Sequence, residues 1–317
     1  FIGASLWDSY RSTVAYVPGS DSWSFRATMP TFRAAPGSAV ARFAGQERLY
    51  VVGGADLNGF PIDHFTHPDI EEYDPIAVSW RTGGVGMPDS AYTWGTCAVV
   101  QGNLIFIMGG TRDSFSSAST RMAAYDPDTD SYTSLAPIPI GVSDGACAVV
   151  GGSIYYFGGY QSGTWGAAPN SLVFVYDIND DSWQTAITAT PVPRANAAAI
   201  AIGANVYIVG GWDGSGTYGG LYNTVDMYEP TLDQWTTGVP DPLGCIEDDG
   251  SSYNGRSGLT LHRANDGVID QVYAIGGNIG ISLPTRCNEA AAFPDIGEIF
   301  ADDFESGNTD AWTATST

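Results

Sequence analysis

Apolar and polar positions alternate over short runs along this chain, and one run returns five times. It reads Leu49-Tyr-Val-Val-Gly-Gly54, Leu104-Ile-Phe-Ile-Met-Gly-Gly110, Ile154-Tyr-Tyr-Phe-Gly-Gly159, Val206-Tyr-Ile-Val-Gly-Gly211 and Val272-Tyr-Ala-Ile-Gly-Gly277. Such runs of β-branched and aromatic residues closed by glycine predict strands. A recurrence every ~50 residues is the mark of a repeat architecture. Upstream of the glycine pairs lie further apolar stretches, such as Thr96–Val100, Ala146–Val150 and Ala197–Ile202.

Downstream, aromatic residues recur in pairs: Tyr73 with Trp80, Tyr125 with Tyr132, Tyr176 with Trp183, Tyr228 with Trp235. Asp74-Pro75, Asp126-Pro127-Asp128, Asn179-Asp180-Asp181 and Glu229-Pro230 fall between the partners. Aspartate, asparagine and proline each favour tight turns for their own mechanical reasons, so every pair predicts a hairpin. The same spacing appears at Tyr16 with Trp23 and at Phe293 with Phe300. That makes six outer hairpins for five glycine-pair strands. No 3.6-residue period of apolar positions argues for helix.

Four short strands per repeat cannot bury both sheet faces alone, and radial stacking solves this. Glycine pair, tyrosine and tryptophan recurring in that order resemble the kelch repeat over roughly residues 12–300. The resemblance implies an all-β, six-bladed propeller of four-stranded antiparallel blades over residues 1–300. The first blade lacks a glycine-pair strand, so closure by terminal segments is expected, from Phe1–Ser9 or Ala301–Trp312. Residues 301–317 resemble the tail of secreted bacterial proteins. The glycines read first as structural, permitting turns or close approach of a neighbouring blade.

Net charge is −23, and the basic residues are arginine throughout, with no lysine. This argues against nucleic acid and anionic membranes as partners. No apolar run is long enough to span a bilayer as a helix. A start at Phe1 rather than Met suggests processing, and with the tail it makes an extracellular, cell-surface or periplasmic bacterial protein the expectation. Cys97 and Cys147 lie in neighbouring inner strands and are expected as small buried thiols, with a bridge as the alternative. Cys245 and Cys287 lie in loops and are expected to form a disulfide.

Chemistry is expected on the face carrying the long loops. Phe60, Phe65, Tyr92, Trp94, Tyr160, Trp165, Trp212, Tyr218, Tyr222 and Tyr253 lie there, suited to a glycan or protein ligand unless they fold back to pack the loops. Arg33, Trp94, Asp144, Arg194 and Arg256 precede the inner strands. They are read as a ring at the channel mouth that either binds a ligand carboxylate or pairs with acids of the protein. His64 and His67 lack the further ligands of a metal site, and His262 stands alone. Asp56–Asp63, Glu247–Asp249 and Asp302–Glu305 are oxygen-rich, so structural calcium is conceivable, although solvated loops explain them as well. No cofactor is expected.

Three functions follow as expectations. The first is an exported, non-enzymatic binding module for a protein or glycan. The second is a self-associating subunit of a surface layer or fibre. The third is an enzyme resembling the kelch sugar-acid epimerases, with Asp144 moving protons beside an arginine.

Overall fold

The computed structural model describes residues 11–303, apart from 18–19, 21, 57–64, 89–92, 112–116, 162–167, 216–219, 241–244, 247–251, 254–256, 266–269, 276–287 and 293–299. Among the described residues there is no α-helix. The chain opens with a hairpin, Val14–Val17 against Ser22–Phe25. Five four-stranded antiparallel sheets follow. The first holds Gly37–Phe43, Gln46–Val52, Ile70–Asp74 and Ser79–Thr82. The second holds Cys97–Gln101, Leu104–Met108, Met122–Asp126 and Ser131–Ser134. In the third are Ala146–Val150, Ser153–Phe157, Val173–Asp177 and Ser182–Gln184. The fourth contains Ala198–Ile202, Asn205–Val209, Thr224–Glu229 and Gln234–Pro240. Thr260–Asn265, Asp270–Ile275, Asn288–Ala292 and Phe300–Asp303 make the fifth. Each is a plain up-and-down meander in chain order, and together they form a β-propeller. Ala301–Asp303 therefore belong to an outermost strand that crosses the expected boundary between propeller and tail. The other terminal segments expected to close the ring lie outside the described residues.

The aromatic pairs are cross-strand partners. Tyr176 faces Trp183 with ring centres 5.0 Å apart, and Tyr125–Tyr132 and Tyr228–Trp235 both stand at 4.9 Å. The seven-residue spacing is thus the length of the hairpin. In its turn sits an aspartate in the left-handed region: Asp130, Asp181 and Asp233 have φ of 49°, 47° and 52°. Each accepts the hydroxyl of its tyrosine, at 2.8, 2.6 and 2.7 Å from Tyr125, Tyr176 and Tyr228. Each also accepts a backbone N–H from the preceding sheet, donated by Gly84, Ala136 and Thr188. The tryptophans reach back the same way. Trp80, Trp183 and Trp235 donate Nε1–H to the carbonyls of Ala27, Ala136 and Thr188. Tyrosine, aspartate and tryptophan thus clamp each blade onto the one before it.

Glycine works at the inner end. In the pair Gly158–Gly159, a Cβ on Gly158 would strike the carbonyl of Arg194 in the next sheet, and Gly159 donates its N–H to that carbonyl at 2.9 Å. Only a residue without a side chain lets the backbones come so close.

Cys97 and Cys147 form a disulfide, with Cα atoms 6.3 Å apart, so the expectation of two buried thiols is corrected. The two positions are offset by one residue. Cys97 pairs with Met108, the residue before its glycine pair, whereas Cys147 pairs with Tyr156, one residue earlier. Successive residues of a strand point to opposite faces. Matched positions in neighbouring blades would point the same way around the ring. The offset turns the two thiols toward each other. The expected pairing of Cys245 with Cys287 falls outside the described residues.

Candidate functional site at the channel mouth

The inner strands are joined at one end by a chain of backbone hydrogen bonds. Gly95 donates to Ala35, Asp144 to Gly95, Asn196 to Asp144 and Gly258 to Asn196, at 3.1, 2.9, 2.7 and 2.7 Å. All five residues have positive φ, between 47° for Ala35 and 68° for Gly258. The turn that starts each inner strand is therefore the same in all five sheets. This fixes the register of the mouth, and the expected ring falls into three registers. Arg33, Arg194 and Arg256 stand two residues before the linked positions, Trp94 stands one before, and Asp144 is itself a linked position. Arg256 lies outside the described residues, as does Trp165.

Arg33 and Arg194 point into their own sheets. Arg33 is fully buried; its Nε binds Glu71 at 2.9 Å and its Nη1 the carbonyl of Gly53 at 2.6 Å. Arg194 is ion-paired with Asp226, binds the carbonyl of Gly210 at 3.0 Å and lies 4.6 Å from the ring centre of Tyr222. In the second sheet, Arg121 binds the carbonyl of Gly109 at 2.8 Å. In the third, Asn170 binds the carbonyl of Gly158 at 3.1 Å. Four sheets therefore meet one need, because the carbonyl of the first glycine has turned out of the strand ladder and a side chain must satisfy it. Glu71 and Asp226 occupy equivalent places, opposite Val51 and Ile208. The sheets with Thr93 and Val142 in the arginine position have Ala123 and Phe174 there instead. Arginine and acid enter and leave together. The spacing from arginine to glycine pair and from glycine pair to acid differs between the sheets, so the partnership emerges only from strand pairing.

Trp94 is 6% exposed and packs on Ala34 and Ala55 of the preceding sheet. It is wall, not lining. Trp212 is half-buried and exchanges two backbone hydrogen bonds with Ala195, next to Asn196. Tyr160 does the same with Ser143, next to Asp144. The mouth is thus asymmetric. At the linked positions and just after the glycine pairs, Ala35, Gly95, Ala55 and Thr111 are small on the side of the first two sheets. Asp144, Tyr160, Asn196 and Trp212 put polar and aromatic groups on the side of the third and fourth.

Asp144 is the unusual member. Its carboxylate folds over Gly95, where a Cβ would lie 2.5 Å from Oδ1. Desolvation pushes its pKa up to about 6. Among the described residues no ion pair reaches it. Burial, and after it the charge of Asp144, raises the phenols of Tyr156 and Tyr160. Tyr156, fully buried beneath the mouth, accepts the N–H of Gly145 at 3.0 Å. The described residues hold no group of three or more His, Cys, Asp or Glu able to bind a metal ion. His67 lies on the first sheet's side, with burial and nearby Arg33 lowering its pKa. Phe60, Tyr92, Tyr218, His64 and the acidic stretches at 57–63 and 247–249 lie outside the described residues. Among those described, no helix is long and apolar enough to cross a membrane.

Known proteins place this geometry in context. The family described as KLHDC2/KLHL20/DRC7 Kelch-repeats domain matches residues 95–285. Kelch-like protein 25 of Xenopus tropicalis is 32% identical over 71% of this chain and 36% of its own length. The Kelch-like protein terF of Aspergillus terreus is 24% identical over 58% of this chain and 40% of its own. The chain spans about a third of the length of the first of these. A solved structure titled "Structure of YjhT" superposes with a TM-score of 0.68 at 15% identity, covering 89% of this chain and 87% of that one. Repeat chemistry, sheet order and sequence agree: the chain belongs to the kelch-repeat family.

Proposed function

We propose that this propeller is an exported, non-enzymatic binding module whose ligand, a protein or a glycan, sits on the third- and fourth-sheet side of the channel mouth. Kelch domains serve as protein-interaction modules, which supports the coarser reading. The observation that carries the finer one is the asymmetry of the mouth. Asp144, Tyr160, Asn196 and Trp212 gather hydrogen-bonding and stacking groups on one side, while Arg33 and Arg194 are spent inside their own sheets. Aromatic rings with polar neighbours suit sugars and side chains alike. The Cys97–Cys147 disulfide supports an oxidising compartment.

The test is binding of the purified protein to a glycan array and to candidate extracellular proteins, repeated with Tyr160→Ser and Trp212→Phe. A ligand held by the native protein and weakened at least tenfold by both variants supports the mouth. A ligand indifferent to both, but lost on changing the outer hairpins, moves the binding face elsewhere.

A further inference from the structure

The sheets are not joined alike around the ring. At the seams before the second, third and fourth sheets, an aspartate of the hairpin turn accepts an N–H of the sheet before, from Gly84, Ala136 and Thr188. A rim bond closes the inner end of each: Gly95 to Ala35, Asp144 to Gly95, Asn196 to Asp144. The seam between the opening hairpin and the first sheet has neither. Val78 stands in place of the aspartate, and among the described residues no backbone bond runs back from Ala35 to the hairpin. Ala27 is the counterpart of Ala136 and Thr188, since all three accept a tryptophan Nε1–H at their carbonyls. A valine at position 78 offers the N–H of Ala27 no carboxylate.

Packing follows the same division. Ala39 and Ala41 pack on the second sheet, so Ser38, Val40 and Arg42 of the same strand face the hairpin side. Three and five residues after their rim positions, Ala98 and Val100, Cys147 and Val149, and Ala199 and Ala201 pack in clusters shared with the sheet before. Ser38 and Val40 hold those places in the first sheet and are exposed, Val40 to 50%. Toward the outside of the ring the seam is bonded. Trp80 donates Nε1–H to the carbonyl of Ala27 at 2.8 Å and to Thr13 Oγ1 at 3.2 Å, and Glu71 accepts the N–H and the hydroxyl of Thr31. Each of these bonds uses a side chain of the first sheet.

We propose that this seam is a parting point built into the ring, where the hairpin side separates from the first sheet by local opening while the second, third and fourth sheets stay joined. Local opening falls where buried apolar contacts are few and cross-links are sparse. This seam combines both properties.

The experiment is hydrogen exchange of the indole N–H groups in the full chain, isotopically labelled at tryptophan nitrogen, in urea below the unfolding transition. Trp80 and Trp183 are the reporters, each donating at 2.8 Å to a carbonyl across its own seam. Trp80 is expected to exchange at least about tenfold faster than Trp183, at a rate that hardly changes with urea, as local opening requires. Val78→Asp, which gives the Ala27 N–H an acceptor, should slow Trp80 by about threefold or more and leave Trp183 unchanged. Thr31→Val, which removes one bond across the seam, serves if that variant does not fold, and it should speed Trp80 alone. Equal rates with equal urea dependence for Trp80 and Trp183, or a Trp80 rate that neither substitution moves, overturn the proposal.

Discussion

Val78 stands five residues after Tyr73, where Asp181 stands after Tyr176, and it cannot accept the hydroxyl that Asp181 accepts. The Tyr73 hydroxyl is buried without a hydrogen-bond partner. Val78 itself is held at φ 53°, a conformation costly for a β-branched side chain. The first sheet therefore lacks one element of the clamp present in the second, third and fourth. Val78→Asp should relieve strain and supply the missing acceptor, raising stability by about 1–2 kcal/mol. Urea unfolding at neutral pH reads this directly. A loss of stability would show that the turn does not need the oxygen.

The clamp aspartates also predict a response to acid. The Tyr176 hydroxyl, then the Ala136 N–H, hold the Asp181 pKa below the usual carboxylate value, and the Tyr228 hydroxyl does the same for Asp233. A depressed folded pKa stabilises above the unfolded value of about 3.9, and that contribution is lost as pH falls through the lower folded value. Asp181→Asn should thus be less stable than the native protein at pH 7, with the difference shrinking below about pH 4. Melting temperatures from pH 2.5 to 7 test it, and parallel profiles would argue against the linkage.

Arg194 and Asp226 form a buried pair in which removal of one charge strands the other. Asp226→Ala should cost about 3–5 kcal/mol, and Arg194→Met a similar amount. The double variant should cost distinctly less than the sum, as a double-mutant cycle would record. Additive losses would mean that the bond from Arg194 to the Gly210 carbonyl, not the ion pair, carries the effect.

The disulfide links innermost strands of neighbouring sheets across a sequence separation of 50 residues. On the chain-entropy model, closing a loop of that size stabilises by about 4 kcal/mol. Cys97→Ser with Cys147→Ser should lower the melting point while leaving the far-ultraviolet spectrum unchanged. Peptide mapping without reductant should recover the Cys97 and Cys147 peptides joined. Alkylation of either thiol before reduction would refute the bridge.

Much of the scaffold can be read from the chain. The glycine pairs mark backbones that nearly touch, and the aromatic pairs mark strands that face each other; each is a contact within reach of one repeat. What escapes is register between repeats. Trp94 and Asp144 look equivalent to Arg33 and Arg194 until the linked backbone positions separate them by one and two residues. The same offset decides Cys97 and Cys147, whose bridging depends on which face of a strand each occupies. Asp226 lies 32 residues beyond Arg194, so their bond is invisible until the two strands are laid side by side. Only the repeat, aligned to the residue, carries that information.

The linked residues at the mouth hold their neighbours through main-chain atoms alone. Their side chains accordingly differ without disturbing the scaffold: Ala35, Gly95, Asp144, Asn196 and Gly258 do one mechanical task with four kinds of residue. The inner rim is in effect a blank on which specificity can be rewritten blade by blade, subject to tolerance of a left-handed turn and, at Gly95, to the Asp144 carboxylate that fills the place of a side chain. Selection acting on such a rim can change what the molecule recognises at little cost to how it folds.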